Sequence, residues 1–481
     1  MLKYLYTLSF ICILILTACK KDSFTTDSSE TISFSTDTLL FDTVFSTIGS
    51  STRKFKIYNR NNESIKISSL KLAGGENSIF RLNVNGVPGI SFKNLEIKSK
   101  DSMWVYADVT VDPSSTNLPY VVKDSLEFIT NGNKQDVNLI AFGQNAIFHK
   151  AEAGSSSFLL GCNEVWNNDI PHVVYGIAVI DTGCTLRIKK GAKVFFHSNG
   201  AIVALRKASL KIEGTQDEPV ILEGDRLEPE YANAAGQWQG LYLFPLSVEN
   251  EINWAVIKNS RIGVQIDTVN SSYSSKPTLT IKNSIIKNCS STGISGRGTY
   301  IEGTNCLIAN CGEYCGSFAL GGKYNFTNCT FANYTPNSTD LTALVLNNWF
   351  KDNNLNINPR DLDEANFTNC IIYGSQLTEI VLSKIDDALF NYQFENCLIK
   401  ASSADINIET SEFKNCLINK TPHFINTNTN NFNIGINSSA ANKGDATSVN
   451  SNLTDLEFDL NNNSRISDSK PDIGAYEFIP E

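Results

Sequence analysis

Phe367-Thr368-Asn369-Cys370 and Phe394-Glu395-Asn396-Cys397 are two copies of one phrase that recurs from residue 257 onward. The others read Ile257-Lys258-Asn259-Ser260, Ile281-Lys282-Asn283-Ser284, Thr304-Asn305-Cys306-Leu307, Phe326-Thr327-Asn328-Cys329 and Phe413-Lys414-Asn415-Cys416. Steps between successive Asn positions are 24, 22, 23, 41, 27 and 19 residues. A repeat of roughly 20–25 residues marks a solenoid, whose units bury their apolar faces only by stacking on one another. Apolar positions alternate at period two, as with Phe326 and, beyond the Asn-Cys kink, Phe331. Helical repeats would need a period of about 3.6, so the units are strands. The pattern predicts a right-handed parallel β-helix.

The physics of that fold accounts for each column. Coils stack about 4.8 Å apart through parallel ladder hydrogen bonds. An Asn repeated at a turn can adopt the left-handed conformation and pass its side-chain amide to the next coil. The Cys or Ser after it points inward as a small residue. Coil spacing lies within disulfide range, yet in-register side chains point the same way, and Ser260 and Ser284 replace Cys. The column is expected to hold reduced, stacked thiols acting as small buried hydrophobes. Cys289 and Cys311 read as near-repeat neighbours, and Cys315 has no place in the pattern. The two-by-two spacing of a zinc site is missing.

Upstream, residues 176–224 carry a looser form of the repeat, with strands such as Leu186-Arg187-Ile188 and Val194-Phe195-Phe196 punctuated by Gly183, Gly191, Gly200, Gly214 and Gly224. From 150 to 420 this gives roughly a dozen coils, a rod on the order of 55 Å. Residues 31–146 lack the period. Their short alternating runs, such as Met103-Trp104-Val105-Tyr106-Ala107, predict an immunoglobulin-like β-sandwich serving as a spacer and a cap on the solenoid's open end. The last segment, 421–481, reads as a polar C-terminal cap. Its Asp459-Leu460-Asn461-Asn462-Asn463 stretch puts oxygens on alternate residues like a calcium loop, but lacks the Gly and the closing Glu of one. Calcium is the only cofactor the sequence raises, and none is required.

The N-terminus opens Met1-Leu2-Lys3, followed by a short apolar run ending Leu16-Thr17-Ala18-Cys19. The run is too brief for a comfortable span of about 20 apolar residues and resembles a lipoprotein signal, residues 1–19, with Cys19 as the lipidated residue. Lys20 to Glu30 then reads as a flexible tether. Anchoring rests on lipid alone, which places the chain in the cell envelope, at an outer membrane, facing the periplasm or the exterior. A net charge of −10 argues against a nucleic-acid surface. The four His residues, 149, 172, 197 and 423, are too dispersed in sequence to suggest a metal site.

Taken together, the Leu16–Cys19 signal, the early sandwich, Trp254-Ala255-Val256-Ile257-Lys258-Asn259, the Phe-x-Asn-Cys phrases and the closing Asp472-Ile473-Gly474-Ala475-Tyr476-Glu477 resemble a family of bacterial surface lipoproteins with pectin-lyase-like β-helices. The resemblance implies the architecture and is silent on activity. The wider fold includes polysaccharide lyases and glycoside hydrolases, and fold does not transmit function.

Polar residues expected on the second strand of each coil form a candidate ridge: Asp267, Tyr273, Arg297, Lys323, Asp386, Asp387 and Glu409. The 41-residue step contains an insertion, 347–364, with Trp349, Phe350, Arg360, Asp361 and Asp363. Long loops on rigid scaffolds are where binding residues concentrate. Trp349 and Tyr273 could stack on sugar rings while Asp and Arg bond hydroxyls. An inverting hydrolase needs two carboxyls about 6.5–9.5 Å apart; adjacent Asp386 and Asp387 would point oppositely on a strand. Arg187-Ile188-Lys189 lies far upstream of the aspartates and reads as a solvated strand face. The leading expectation is a monomeric, non-catalytic surface protein that binds glycans or an envelope partner. A polysaccharide lyase or hydrolase, and a structural or adhesive rod, stay open beside it.

Overall fold

The computed structural model describes residues 23–46, 49–113, 120–152, 154–268, 275–335, 342–352, 354–451, 453–467 and 470–479. Cys19 and Tyr273 lie outside the described residues. The chain divides into two compact units, one ending at Asn145 and the other beginning at Ala146.

The first unit is a β-sandwich. One five-stranded sheet is antiparallel and orders Ser33–Phe34, Arg53–Tyr58, Ser102–Val109, Phe80–Val84 and Val87–Gly89. The other orders Thr38–Phe45, Asn133–Gln144, Tyr120–Thr130, Ile65–Leu72 and Ser91–Ile97, and only its first pair is parallel. Strand alternation sends Phe55, Ile57, Phe80 and Phe128 into a shared core and polar residues outward. The stretch expected to be a free tether is docked from Ser23 onward. Thr25 N–H donates to Ser64 O at 2.9 Å, and the Asn131 amide reaches Asp27 O and Glu30 O at 3.1 and 3.0 Å. Backbone groups of this stretch satisfy each other and the sandwich, which composition alone did not reveal.

The second unit is a parallel β-helix. Among the described residues, one sheet runs eleven strands in single file, from Ile147–Lys150 to Leu417–Ile418. At about 4.8 Å per step that file is roughly 48 Å long. A seventeen-stranded sheet wraps the rest of each coil, because long strands such as Thr292–Thr304 and Tyr314–Thr327 turn a corner without breaking.

The repeated Asn occupies two corners, one at each end of the single-file strands. Trp254, Asn283, Asn305, Asn328, Asn369, Asn396 and Asn415 precede those strands, all with φ between 47° and 54°. Asn259, Asn288 and Asn310 follow them, with φ of 64°, 55° and 52°. Ladder bonds fix the assignment: Asn283 N–H donates to Thr304 O, whereas Asn259 N–H donates to Lys287 O. Grouping Asn259-Ser260 with Asn283-Ser284 in one column was therefore a register error. Both corners demand a left-handed residue and then a small inward one, so both select the same phrase. Side-chain amides continue the ladders, with Asn305 Nδ2 donating to Asn283 Oδ1 at 2.8 Å and Asn369 Nδ2 to Asn328 Oδ1 at 3.3 Å.

Inside, the small residues stack as read. Cys306, Cys329, Cys370 and Cys397 are fully buried free thiols. Each donates to the carbonyl two residues before it, as Cys306 does to Thr304 O at 3.2 Å. Burial pushes the Cys306 and Cys370 thiols well above their ordinary range. Cys289 and Cys311 form the column of the other corner, and Cys315 is buried beside them. One pair departs from the expectation: Cys162 and Cys184 form a disulfide, with Cα atoms 4.9 Å apart. Next to the thiols runs an aromatic ladder, Phe326, Phe367, Phe394 and Phe413, with centroids 5.6, 5.0 and 5.2 Å apart.

The segment from residue 421 runs back over the outer face of the single-file sheet. Ile473 packs with Ile371 and Leu398, and Ala475 and Tyr476 with Leu307, Ala309 and Ala332. The closing phrase has a physical reason. Gly474 has φ +103°, its N–H donates to Asn369 O at 2.8 Å, and a Cβ there would meet Thr330 Oγ1 at 2.8 Å. Arg465, fully buried, is ion-paired to Glu477 at 2.5 Å and donates to Asn305 Oδ1 at 2.8 Å. Asp459, read as a calcium-loop residue, is buried, and its carboxylate accepts from Asn461 N, Asn463 N, Asn463 Nδ2 and Glu477 N.

Candidate functional site

The insertion after Leu346 folds as an antiparallel hairpin, Trp349–Lys351 with Ile357–Pro359. It stands beside a corner where the long strands change direction. There the register of Thr292–Thr304 against Tyr314–Thr327 slips between Arg297 and Thr299. Such bulges re-aim side chains and open the surface. Gly321, at φ +69°, makes the close approach possible: a Cβ would lie 2.1 Å from Asp361 O. Gly322 N–H donates to that same oxygen at 2.8 Å, pinning the strand after the hairpin.

Between hairpin and corner lies a cleft of about 430 Å³, within the usual range of about 300–1,000 Å³ for small-ligand sites. From the ridge and the insertion, Asp267, Arg297, Arg360, Asp361, Asp363 and Asp387 line it. Phe350, Pro359 and Leu320 supply apolar wall. Asp267 and Arg297 are register partners on adjacent coils and pair at 3.3 Å, and Gln265 Nε2 holds the other Asp267 oxygen at 3.0 Å. Arg360 places its guanidinium 5.4 Å from the Phe350 centroid. Asp361 Oδ1 accepts from Leu389 N–H at 2.9 Å. The wall thus presents fixed carboxylates, two guanidinium groups and one aromatic face, a set that can bond vicinal hydroxyls while a ring packs on Phe350.

Trp349, Lys323, Asp386 and Glu409 do not line the cleft. Trp349, expected to stack on sugar, lies outside the cleft wall, and its Nε1–H donates to Ser383 Oγ at 3.0 Å. Alternation along the hairpin strand gives the cleft to Phe350 instead. Lys323 belongs to the neighbouring column, ion-paired with Glu364 at 2.7 Å over the Tyr300 ring. Asp386 and Asp387 occupy a turn after Ile380–Ser383 rather than a strand. Asp387 faces the cleft while Asp386 is almost wholly solvated beside Lys384.

A second polar cluster was invisible in sequence order. His149 Nε2 and His172 Nδ1 are 2.9 Å apart, both rings stacked on Trp166, whose Nε1–H donates to Glu164 Oε1 at 2.7 Å. Burial, then the neighbouring His172, lowers the His149 pKa to about 4. Twenty-three residues of separation is one coil, so stacking joins what the chain keeps apart.

No protein-family model matches the chain, and no curated protein does. Among solved structures, it shares slight similarity with a family 123 glycoside hydrolase from Clostridium perfringens, at 8% identity, covering 25% of this chain and 30% of that one with a TM-score of 0.18. The VesB protease of Vibrio cholerae stands at 11% identity, 25% and 33% coverage and a TM-score of 0.18. PapD-like domain 7 of human CEP192 stands at 14% identity, 28% and 94% coverage and 0.17. The chain spans about a third of the length of the first two. Similarity this slight carries nothing about activity.

Proposed function

We propose that this chain is an envelope lipoprotein, anchored through Cys19, that binds a glycan in the cleft beside the 349–359 hairpin without covalent chemistry. The observation that carries the reading is the convergence of Asp267, Arg297, Arg360, Asp361, Asp363 and Asp387 with Phe350 around one cleft. These side chains come from widely separated parts of the chain, and solvation of a strand face does not require them to enclose a space. Hydrogen-bonding groups around an aromatic face suit a saccharide, whose ring has apolar faces and polar edges. The anchor follows from Leu16-Thr17-Ala18-Cys19.

A glycan array probed with the full chain, beside Arg360→Ala and Phe350→Ala, tests the proposal. Binding of a saccharide class that both substitutions weaken supports it. Binding of no glycan, or equal binding by all three proteins, overturns it. Incorporation of labelled fatty acid into the wild type but not Cys19→Ser tests the anchor. The acidic wall also keeps a lyase or hydrolase reading in play, and new reducing or unsaturated ends from uronic-acid polymers would establish that reading instead.

A further inference from the structure

We infer that the N-terminal sandwich carries a second, separate binding surface: the outward face around Lys54, Lys56 and Trp104 fits an anionic polysaccharide. On strand Arg53–Tyr58 the buried residues Phe55 and Ile57 alternate with outward Lys54, Lys56 and Tyr58. On the paired strand Ser102–Val109, Met103, Val105 and Ala107 go in while Trp104 and Tyr106 go out. Register sets Lys56 opposite Trp104 and Lys54 opposite Tyr106. The two ammonium groups lie 4.6 and 5.0 Å from the Trp104 ring centroid, and the Tyr106 ring is 6.2 Å away. Trp104 remains 37% exposed, which leaves ring surface for a ligand.

On the other sheet three lysines have carboxylate partners, Lys66 with Glu96 at 3.1 Å, and Lys134 and Lys71 sharing Glu127 at 2.8 and 3.4 Å. Among the described residues, no carboxylate pairs with Lys54 or Lys56. Asp108, the acid on the same strand, sits beyond Tyr106 in register with Arg81. A chain of net charge −10 therefore gathers two uncompensated ammonium groups around an open indole. Charge complementarity calls for an anion, and the indole calls for a flat apolar face beside it. Sugar rings bearing carboxylate or sulfate groups offer both, repeated along a polymer. This surface differs in sign from the acidic cleft of the β-helix and does not depend on it.

The test is affinity electrophoresis of the full chain through polygalacturonate, dextran sulfate or neutral dextran. The wild type should be retarded by at least one of the anionic polymers and not by dextran, with retardation fading as salt screens the lysines. Lys54→Gln/Lys56→Gln and Trp104→Ala, all solvent-facing changes, should each weaken retention tenfold or more, while Lys134→Gln, a solvent-facing change on the other sheet, leaves it unchanged. The inference is overturned by no retardation in either anionic polymer, by equal retention of Lys54→Gln/Lys56→Gln or Trp104→Ala and wild type, or by an equal loss of retention in Lys134→Gln. Binding to vesicles containing anionic phospholipid with none to the polymers overturns it as well.

Discussion

Asp267 and Arg297 sit in register on neighbouring coils, form an ion pair at 3.3 Å and line the cleft. Thirty residues of chain separate them, one turn of the solenoid. The fold brings them together, and the bulge after Arg297 turns the pair toward the hairpin. A β-helix makes a site in this way: side chains far apart in sequence line up at coil spacing, and one insertion encloses them.

The thiol columns give a countable expectation. Among the described residues eight cysteines are free and two are joined, so alkylation of the unreduced, denatured chain, with its signal removed and Cys19 lipidated, should modify eight thiols. In the folded state only Cys416, which is part-exposed, should react at an appreciable rate. Mass spectrometry gives the count; fewer than eight would show that coils are cross-linked within the column. Replacing Cys184 by Ser should lower stability by about 3 kcal/mol, the chain-entropy value for a loop of this length, read from urea unfolding.

The tail should depend on its buried cation. Arg465→Leu leaves Glu477 buried without its partner, which costs about 3–5 kcal/mol. Limited proteolysis should then release the segment after residue 421 while the coils resist. Changing both Arg465 and Glu477 to leucine should recover part of the loss, since the pair's desolvation goes with it.

Acid should weaken the first coils through His149. Its folded pKa, about 4, lies below the ordinary 6.5 of the unfolded chain. Between those values the unfolded chain binds a proton that the folded chain refuses, so stability falls as pH falls through that window, by up to about 3 kcal/mol. Burial moves His172 in the same direction. Urea midpoints at pH 7 and pH 4.5 should show the wild type losing ground to His149→Gln at the lower value. A constant gap between the two proteins would contradict this.

Much of the fold is legible in the Asn-Cys phrases, because a left-handed corner followed by a small inward residue leaves few choices. The same economy hides register: Asn259 and Asn283 share a phrase but serve opposite ends of a strand. The disulfide also left a signal. Gly161-Cys162 and Gly183-Cys184 repeat one dipeptide at a spacing of 22, one coil, in a stretch where the longer phrase is missing. Arg465 and the His149–His172 pair left none, since Asn305 lies 160 residues from Arg465, the two His lie 23 apart, and burial is a property of the packed coils. At the cleft, polarity and the insertion pointed to the right region. Alternation within the hairpin then exchanged Trp349 for Phe350, and that depends on where the hairpin begins.

Calorimetric titration of the strongest array-selected glycan into the wild type and into Asp361→Ala most directly tests the central claim. The account predicts one saturable site on the wild type and at least a tenfold loss, about 1.4 kcal/mol, in the variant. Equal affinity in the two proteins would contradict it.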